Sequence, residues 1–185
     1  MIRYSTFGPY IDKEDIKTVS SALTIKKWYN KPYYYCEKLE RDFAKYHKRK
    51  FALLTPNCTS AIHLFLHSLN LKSNDEVIAP ECTWIASISP VYQTSAKLVL
   101  SDIDRKNFCI SVDDVKKKIT KKTKVIISVN LYGNMANYKE LEKICKKEKI
   151  HLLEDAAESL GSTYYNKKSG SFGSASVFSF HRTKT

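Results

Sequence analysis

The chain has 185 residues, of which 43% are hydrophobic and 27% are charged. A chain of this size can bury a real core, and five Gly and five Pro are too few for a linker-rich or low-complexity protein. No apolar run approaches the roughly 20 residues of a membrane-spanning helix, and the first residues lack the apolar core of a signal peptide. The composition therefore predicts a soluble, cytoplasmic protein.

The net charge of +12 arises from 31 Lys and Arg against 19 Asp and Glu. Such a balance is typical of nucleic-acid-binding proteins. Many of the lysines, however, fall on the outer faces or ends of two predicted helices, which favours solvated surfaces. A nucleic-acid interface stays open as the alternative, without any helix-turn-helix or zinc-finger pattern to support it. These lysines are Lys116, Lys117, Lys118, Lys121, Lys122, Lys124, Lys146 and Lys147.

Five cysteines are widely spaced along the chain, and none forms the close C-x-x-C pair of zinc or redox sites. Cys109 and Cys145 lie in apolar or amphipathic stretches, so we expect buried free thiols there. The pattern predicts no metal site and fits a reducing compartment.

Helical patterns open the chain, and strands then alternate with helices. Residues 12–23 and 36–46 are predicted as helices joined by the aromatic segment 28–35. From residue 51 onward, strands are predicted at 51–54, 76–79, 97–100, 125–129, 151–154 and 176–180. Helices are predicted at 61–69, 112–119 and 138–148 between them.

The predicted strands are continuous apolar runs, as expected for strands that are buried on both faces. Their alternation with helices indicates an α/β fold with a mainly parallel sheet and helices on both faces. The sequence therefore predicts an N-terminal helical segment over 1–50 and an α/β domain over 51–185.

Ligands of such a fold bind beyond the carboxyl ends of the strands. The segment 55–60, with Cys58, Thr59 and Ser60, stands before a helix, where backbone N–H groups can bind a phosphate. The alternative is that Asn57 simply caps this helix. Trp84, which follows the second predicted strand, can pack in the core or offer its face to a flat ring.

Two charged residues follow later strands. Asp155 directly follows Leu153 and Glu154, so it is predicted at the end of a buried strand. A buried carboxylate needs a partner. Asp155 either pairs with the protonated ring nitrogen of a ligand or caps the turn that follows the strand. Lys184 follows the last apolar run and can act as a Schiff-base nucleophile, or it is one lysine among many.

Together these groups match what pyridoxal 5'-phosphate requires: a phosphate anchor, a stacking ring, a carboxylate for the pyridine nitrogen and an imine-forming lysine. The blocks that carry a resemblance are 74–80, 83–87, 130–133, 153–161, 170–173 and 178–185. They resemble the N-terminal half of the DegT-type sugar aminotransferases, fold-type I enzymes that use this cofactor. The similarity is strongest to nucleotide-sugar aminotransferases of the perosamine synthetase type.

The resemblance implies roles for particular residues. Lys184 matches the lysine that binds the cofactor covalently and then moves the proton. Asp155 matches the carboxylate on the pyridine nitrogen, and Trp84 matches the stacking aromatic ring. Glu158 matches a position near the phenolic oxygen of the cofactor.

The phosphate ligands also follow from the resemblance. Thr59 and Ser179 match two of them, with Ser60 beside them and Cys58 where many members have Gly. Asn130 takes a place that His often fills, and the resemblance assigns it no role.

The implied activity is transfer of an amino group, with glutamate as the expected donor, to a keto-sugar nucleotide in polysaccharide biosynthesis. Family dehydratases carry His in place of the lysine, so Lys184 argues against that reaction. Family members are roughly twice as long and form homodimers. We therefore expect this chain to be a fragment, an incomplete large domain without the C-terminal domain. The alternative is a truncated, non-catalytic protein, such as a basic nucleic-acid or interaction protein.

Overall fold

The structure, a computed structural model, describes residues 11–24 and 28–184. Thr185, the last residue of the resembling blocks, lies outside the described residues. The chain divides into two compact units with the boundary between Leu54 and Thr55. The domain boundary expected from the sequence falls between residues 50 and 51.

The first unit contains helix α1 (Lys13–Ala22) and helix α2 (Tyr34–Tyr46). The Asp12 carboxylate caps α1 by accepting from the Glu14 and Asp15 N–H groups at 2.7 and 2.9 Å. The Ser21 and Tyr35 hydroxyls lie 2.6 Å apart and connect the two helices. Both helices lie where the sequence predicted them.

The predicted strand at 51–54 is wrong. These residues form neither strand nor helix, and Phe51 and Leu53 are 77% and 68% exposed. The Leu54 N–H donates to Glu40 Oε1 at 2.8 Å instead of to a neighbouring strand. An apolar run becomes a strand only where a partner strand completes the ladder, and no strand of the described residues pairs with it.

The second unit is built on five parallel strands with helices between them. The strands of the unit are β1 (Glu76–Pro80), β2 (Lys97–Ser101), β3 (Thr123–Val129), β4 (His151–Asp155), β5 (Thr163–Tyr164), β6 (Lys167–Lys168) and β7 (Ala175–Val177). The helices are α3 (Cys58–Ser68), α4 (Val112–Lys118) and α5 (Tyr138–Glu148), with short 3₁₀ helices at Ile85–Ser87, Ser89–Gln93 and Leu131–Gly133.

The strand order of the large sheet is β2-β1-β3-β4-β7, and every neighbouring pair is parallel. Strands β5 and β6 form a separate antiparallel hairpin. The predicted strand at 176–180 is shorter than expected because β7 pairs with β4 only from Ala175 to Val177. Beyond Asp155 the partner strand has ended, so 178–180 have no ladder to join.

Helices cover both faces of the sheet, as predicted. Along β3, Ile127 packs on the face that α3 covers, and Ile126 packs on the face that α4 and α5 cover. Both side chains are fully buried. Because adjacent residues of a strand point to opposite faces, the continuous apolar runs of the sequence serve both cores.

The basic runs lie at the surface of this unit. Of the eight lysines named above, only Lys118 is half-buried; it donates to the Leu100 carbonyl at 2.7 Å and pairs with Asp114 at 2.7 Å. Cys109 and Cys145 are buried free thiols, as predicted. Within the described ranges, no helix has the length and apolar character needed to cross a membrane.

Candidate active site

Asp155 ends β4 and is only 3% exposed. The Ser87 hydroxyl donates to Asp155 Oδ2 at 2.7 Å, and the Ala157 N–H donates to Oδ1 at 3.1 Å. Burial raises the pKa of Asp155, and these two hydrogen bonds oppose that effect. The carboxylate thus lies at the end of a buried strand, as predicted, and it also caps the following turn.

Ser87 places Trp84 near this carboxylate. The Ser87 N–H donates to the Trp84 carbonyl at 2.9 Å, and the Thr83 hydroxyl donates to Ser87 Oγ at 3.0 Å. Trp84 itself is 71% exposed. Its ring is therefore not a core side chain, which leaves its face free for a ligand at this edge of the sheet.

Lys184 forms an ion pair at the same end of the sheet. Its Nζ donates to Glu158 Oε1 at 2.6 Å, and each of the two side chains is 25% exposed. The other Glu158 oxygen accepts from the Tyr132 N–H at 2.9 Å. Burial raises the pKa of Glu158, but the hydrogen bonds from Lys184 and Tyr132 outweigh it and leave the pKa lowered.

Cys58 is a half-buried thiol beside these charged groups. The pKa of its thiol is raised to about 12, mainly by burial; the Asp155 charge acts in the same direction and the Lys184 charge opposes it. The thiol stays protonated at neutral pH, so it acts as a small neutral side chain at the first position of α3. A carboxylate and an ammonium group both lie within electrostatic reach of it.

The other residues of the predicted phosphate site lie at the ends of α3 and β7. Thr59 and Ser60 are half-buried in the first turn of α3, where Asn57 accepts from the Ser60 N–H at 2.8 Å. The capping role weighed for Asn57 is thus present. Ser179 follows β7, against which α3 packs, and its hydroxyl accepts from the His181 N–H at 3.3 Å.

Sequence reasoning gave no role to Ser87, Tyr132 or Asn130. Ser87 lies 68 positions from its partner Asp155, a separation that no local motif reveals. Tyr132 has a left-handed backbone (φ 55°) that turns its N–H toward Glu158. Asn130 is fully buried and joins a polar network beneath the site.

The arrangement combines a buried carboxylate, a lysine paired with a glutamate and an exposed indole at the carboxyl ends of parallel strands. Crevices of this kind are the ligand sites of α/β sheets. The carboxylate can hold a protonated ring nitrogen, and a lysine can bind a carbonyl carbon. These residues therefore fit pyridoxal phosphate.

The amino-acid sequence of the chain matches a known protein family. The model of the DegT/DnrJ/EryC1/StrS aminotransferase family matches residues 9–185. The chain belongs to this family. The resemblance read from the sequence blocks is thereby confirmed.

Individual relatives and solved structures agree with this assignment. The GDP-perosamine synthase of Vibrio cholerae is 35% identical over 97% of this chain and 48% of its own length. An aminotransferase from Psychrobacter cryohalolentis has a TM-score of 0.85 at 28% identity, over 98% of this chain and 46% of its own. The E. coli GDP-4-keto-6-deoxy-D-mannose-3-dehydratase with bound hydrated PLP has a TM-score of 0.87 at 31% identity, over 100% of this chain and 48% of its own. The chain therefore spans about half the length of the relatives it matches.

Proposed function

We propose that the chain forms the cofactor-binding part of a pyridoxal-phosphate-dependent aminotransferase. The observation that carries the proposal is the ion pair of Lys184 with Glu158, which brings the lysine to the segment that directly follows the buried Asp155. Membership of an aminotransferase family supports the same function.

When bound, pyridoxal phosphate supplies an electron sink for carbanion chemistry. Asp155 would hold the proton on the pyridine nitrogen, and Ser87 keeps that carboxylate oriented. Lys184 would bind the carbonyl carbon of the cofactor. Its amino group would then carry the proton between the substrate carbon and the cofactor carbon. Trp84, at 71% exposure, would cover the face of the ring.

The remaining cofactor contacts concern the phosphate and the phenolic oxygen. Thr59, Ser60 and Ser179 would bind the phosphate, with the neutral Cys58 between them and the core. Helix α3 adds the positive end of its dipole at this point. Glu158 would approach the phenolic oxygen once Lys184 has left its carboxylate.

The proposed substrate is a keto-sugar nucleotide, and the proposed amino donor is glutamate. The similarity to GDP-perosamine synthases supports a sugar nucleotide. We further propose that the whole protein works as a homodimer and in the cytoplasm, where its five free thiols would stay reduced.

The cofactor assignment is tested by adding pyridoxal phosphate to the 185-residue chain and recording the visible absorbance of the bound cofactor. The expected result is a band that disappears in Lys184→Ala. The control is Lys124→Ala, which removes an exposed lysine near the amino end of β3 and leaves the band intact. A band that persists in Lys184→Ala would show that another lysine binds the cofactor.

A second candidate reaction is sugar dehydration, because a dehydratase is among the similar structures. Lys184 favours amino transfer, since the family's dehydratases carry His at this position. Transfer of label from ¹⁵N-glutamate to a 4-keto-sugar nucleotide supports the aminotransferase. Loss of a hydroxyl group from the sugar without transfer of label supports the dehydratase.

A further inference from the structure

Glu154 is a fully buried carboxylate next to Asp155, and the site described above does not use it. Two backbone groups donate to it, Gly170 N–H at 2.9 Å and Phe172 N–H at 3.1 Å. The hydroxyls of Ser169 and Ser176 donate to it at 3.2 and 3.0 Å. With the amide of Asn130, five neutral donors surround this one side chain.

Asn130, directly after β3, connects Glu154 to two further groups. Its Nδ2 donates to Glu154 Oε1 at 2.9 Å and to the Ser159 hydroxyl at 3.0 Å. Its Oδ1 accepts from the Tyr138 hydroxyl at 2.7 Å. Both ends of the amide are therefore used, which gives a role to the position where the family often has His.

The network closes through two aromatic rings. Tyr138 stacks on Phe172 with ring centroids 4.3 Å apart and planes 14° apart. Because Phe172 N–H donates to Glu154, the path from Glu154 through Asn130 and Tyr138 returns to its start. This closed path of contacts explains the block Gly170–Gly173, because the backbone there must turn two N–H groups toward one carboxylate. Gly170 makes this turn with a positive φ of 88°.

The same network touches the candidate active site at two points. The Asn130 N–H donates to the Asp155 carbonyl at 3.0 Å, so Asn130 fixes the end of β4 against β3. Asn130 also precedes the turn Leu131–Gly133, where the Tyr132 N–H donates to Glu158. Glu158 in turn pairs with Lys184.

We propose that Glu154 is a positioning residue that, through Asn130, fixes Asp155 and the Tyr132–Glu158–Lys184 contacts in their places. A carboxylate is required because it accepts at both oxygens, whereas a glutamine in its place keeps one acceptor and adds a donor that faces other donors. The expected effect on cofactor binding rests on the proposed function. The expected effect on the backbone hydrogen bonds of the site does not.

The test compares Glu154→Gln, Asn130→Asp and the double variant in the 185-residue chain. Asn130→Asp places two carboxylates side by side. The double variant restores an amide–carboxylate contact with the charge moved to position 130, where the Tyr138 hydroxyl can still donate. We expect each single variant to weaken pyridoxal phosphate binding about tenfold, and the double variant to lose less than the two single effects combined.

Amide hydrogen exchange supplies a readout that needs no cofactor. In Glu154→Gln, exchange is expected to accelerate at Tyr132 and Ala157, whose N–H groups bond within the site. The control is Ile126→Val, a trimmed core side chain on the same face of the sheet, which lowers stability without speeding exchange at these two amides. If Glu154→Gln does not fold, the same exchange measurement is made on Ser176→Ala, which removes one donor to Glu154.

The outcomes separate the two proposals. Faster exchange at Tyr132 and Ala157 in Glu154→Gln supports positioning, even if the unsubstituted chain binds no cofactor and the proposed function fails. Exchange at these amides that matches Ile126→Val overturns positioning and leaves Glu154 a purely structural residue. Where the unsubstituted chain does bind the cofactor, equally tight binding by Glu154→Gln overturns it as well.

Discussion

Two carboxylates of the candidate active site are held in opposite electrostatic conditions. Burial raises the pKa of Asp155, because desolvation disfavours the charged form. The pKa of Glu158 is lowered, since an ammonium group and a backbone N–H stabilise its charge. In the absence of a ligand, Glu158 therefore stabilises the folded chain, and an ionised Asp155 weakens it.

Glu158→Gln should reduce stability in a pH-dependent way. The lowered pKa means that Glu158 contributes stability above its ordinary pKa of 4.5 and loses it as the pH falls through the lowered value. We expect Glu158→Gln to cost about 1 kcal/mol at pH 7 and little at acid pH. Urea unfolding at pH 7 and at acid pH measures this change in the free energy of unfolding.

Glu81→Gln, at an exposed position, is the control and should change stability at neither pH. An equal loss in Glu158→Gln at both pH values would contradict the ion pair with Lys184 as its source.

Sequence reasoning located Asp155 correctly because the apolar run before it marks a buried strand. The sequence alone could not reveal Ser87 or the role of Glu154, since their partners lie far away in the chain and are brought close only by the folded sheet. The separation is 68 positions for Ser87 and Asp155 and 24 for Asn130 and Glu154. Partners of this kind become visible only when the sheet is assembled.

The turn before β7 is the element that depends most closely on one residue. Gly173 has a φ of +65°, and a Cβ there would lie 2.9 Å from Leu152 Cβ and still closer to the Leu152 carbonyl oxygen. Its N–H also donates to Glu142 Oε1 at 3.1 Å. The turn can therefore pack on β4 only without a side chain at this position.

Gly173→Ala should cost about 3 kcal/mol or more, because strain in the left-handed region adds to the displacement of β4 backbone. The matched control is Gly161→Ala. Gly161 has a φ of +91° and no atom within 4 Å of an added Cβ, so backbone strain alone applies, about 1 kcal/mol. Urea unfolding of both variants gives the difference; equal losses would show that the approach to Leu152 costs nothing.

At the scale of elements, the sequence predicted β1 to β4 and all of the longer helices because their patterns are continuous and locally complete. The predicted strand at 51–54 failed for the opposite reason, since its apolar residues have no ladder partner. The run at 176–180 was half right: it is a strand only where β4 lies alongside. Strand formation thus depended on a neighbour that the pattern itself does not contain.

The charge of the whole molecule bears on the non-catalytic alternative. Exposed lysines on α4, α5 and the residues around β3 contribute only part of the net charge of +12, because acidic residues on the same two helices offset many of them. Such lysines attract phosphates without reading a sequence. We expect weak binding to duplex DNA at about 50 mM salt that is lost toward about 200 mM, as counterion release predicts.

A fluorescence anisotropy titration at several salt concentrations measures this binding. Lys184→Ala should leave it unchanged, because that lysine is engaged with Glu158. Binding that resists salt or selects one sequence would favour a nucleic-acid protein over the aminotransferase fragment.

The order of the sheet has a consequence for handling the protein. Among the described residues, β2 pairs with no strand other than β1. On its outer side the Leu100 carbonyl accepts from Lys118 Nζ, a contact with a side chain and not with a neighbouring strand. Open edges of this kind can template the addition of a strand from another molecule, the first step of aggregation. Of the two outer strands, β2 is the longer, with five residues against three in β7. Intermolecular pairing during concentration or refolding should therefore begin at β2.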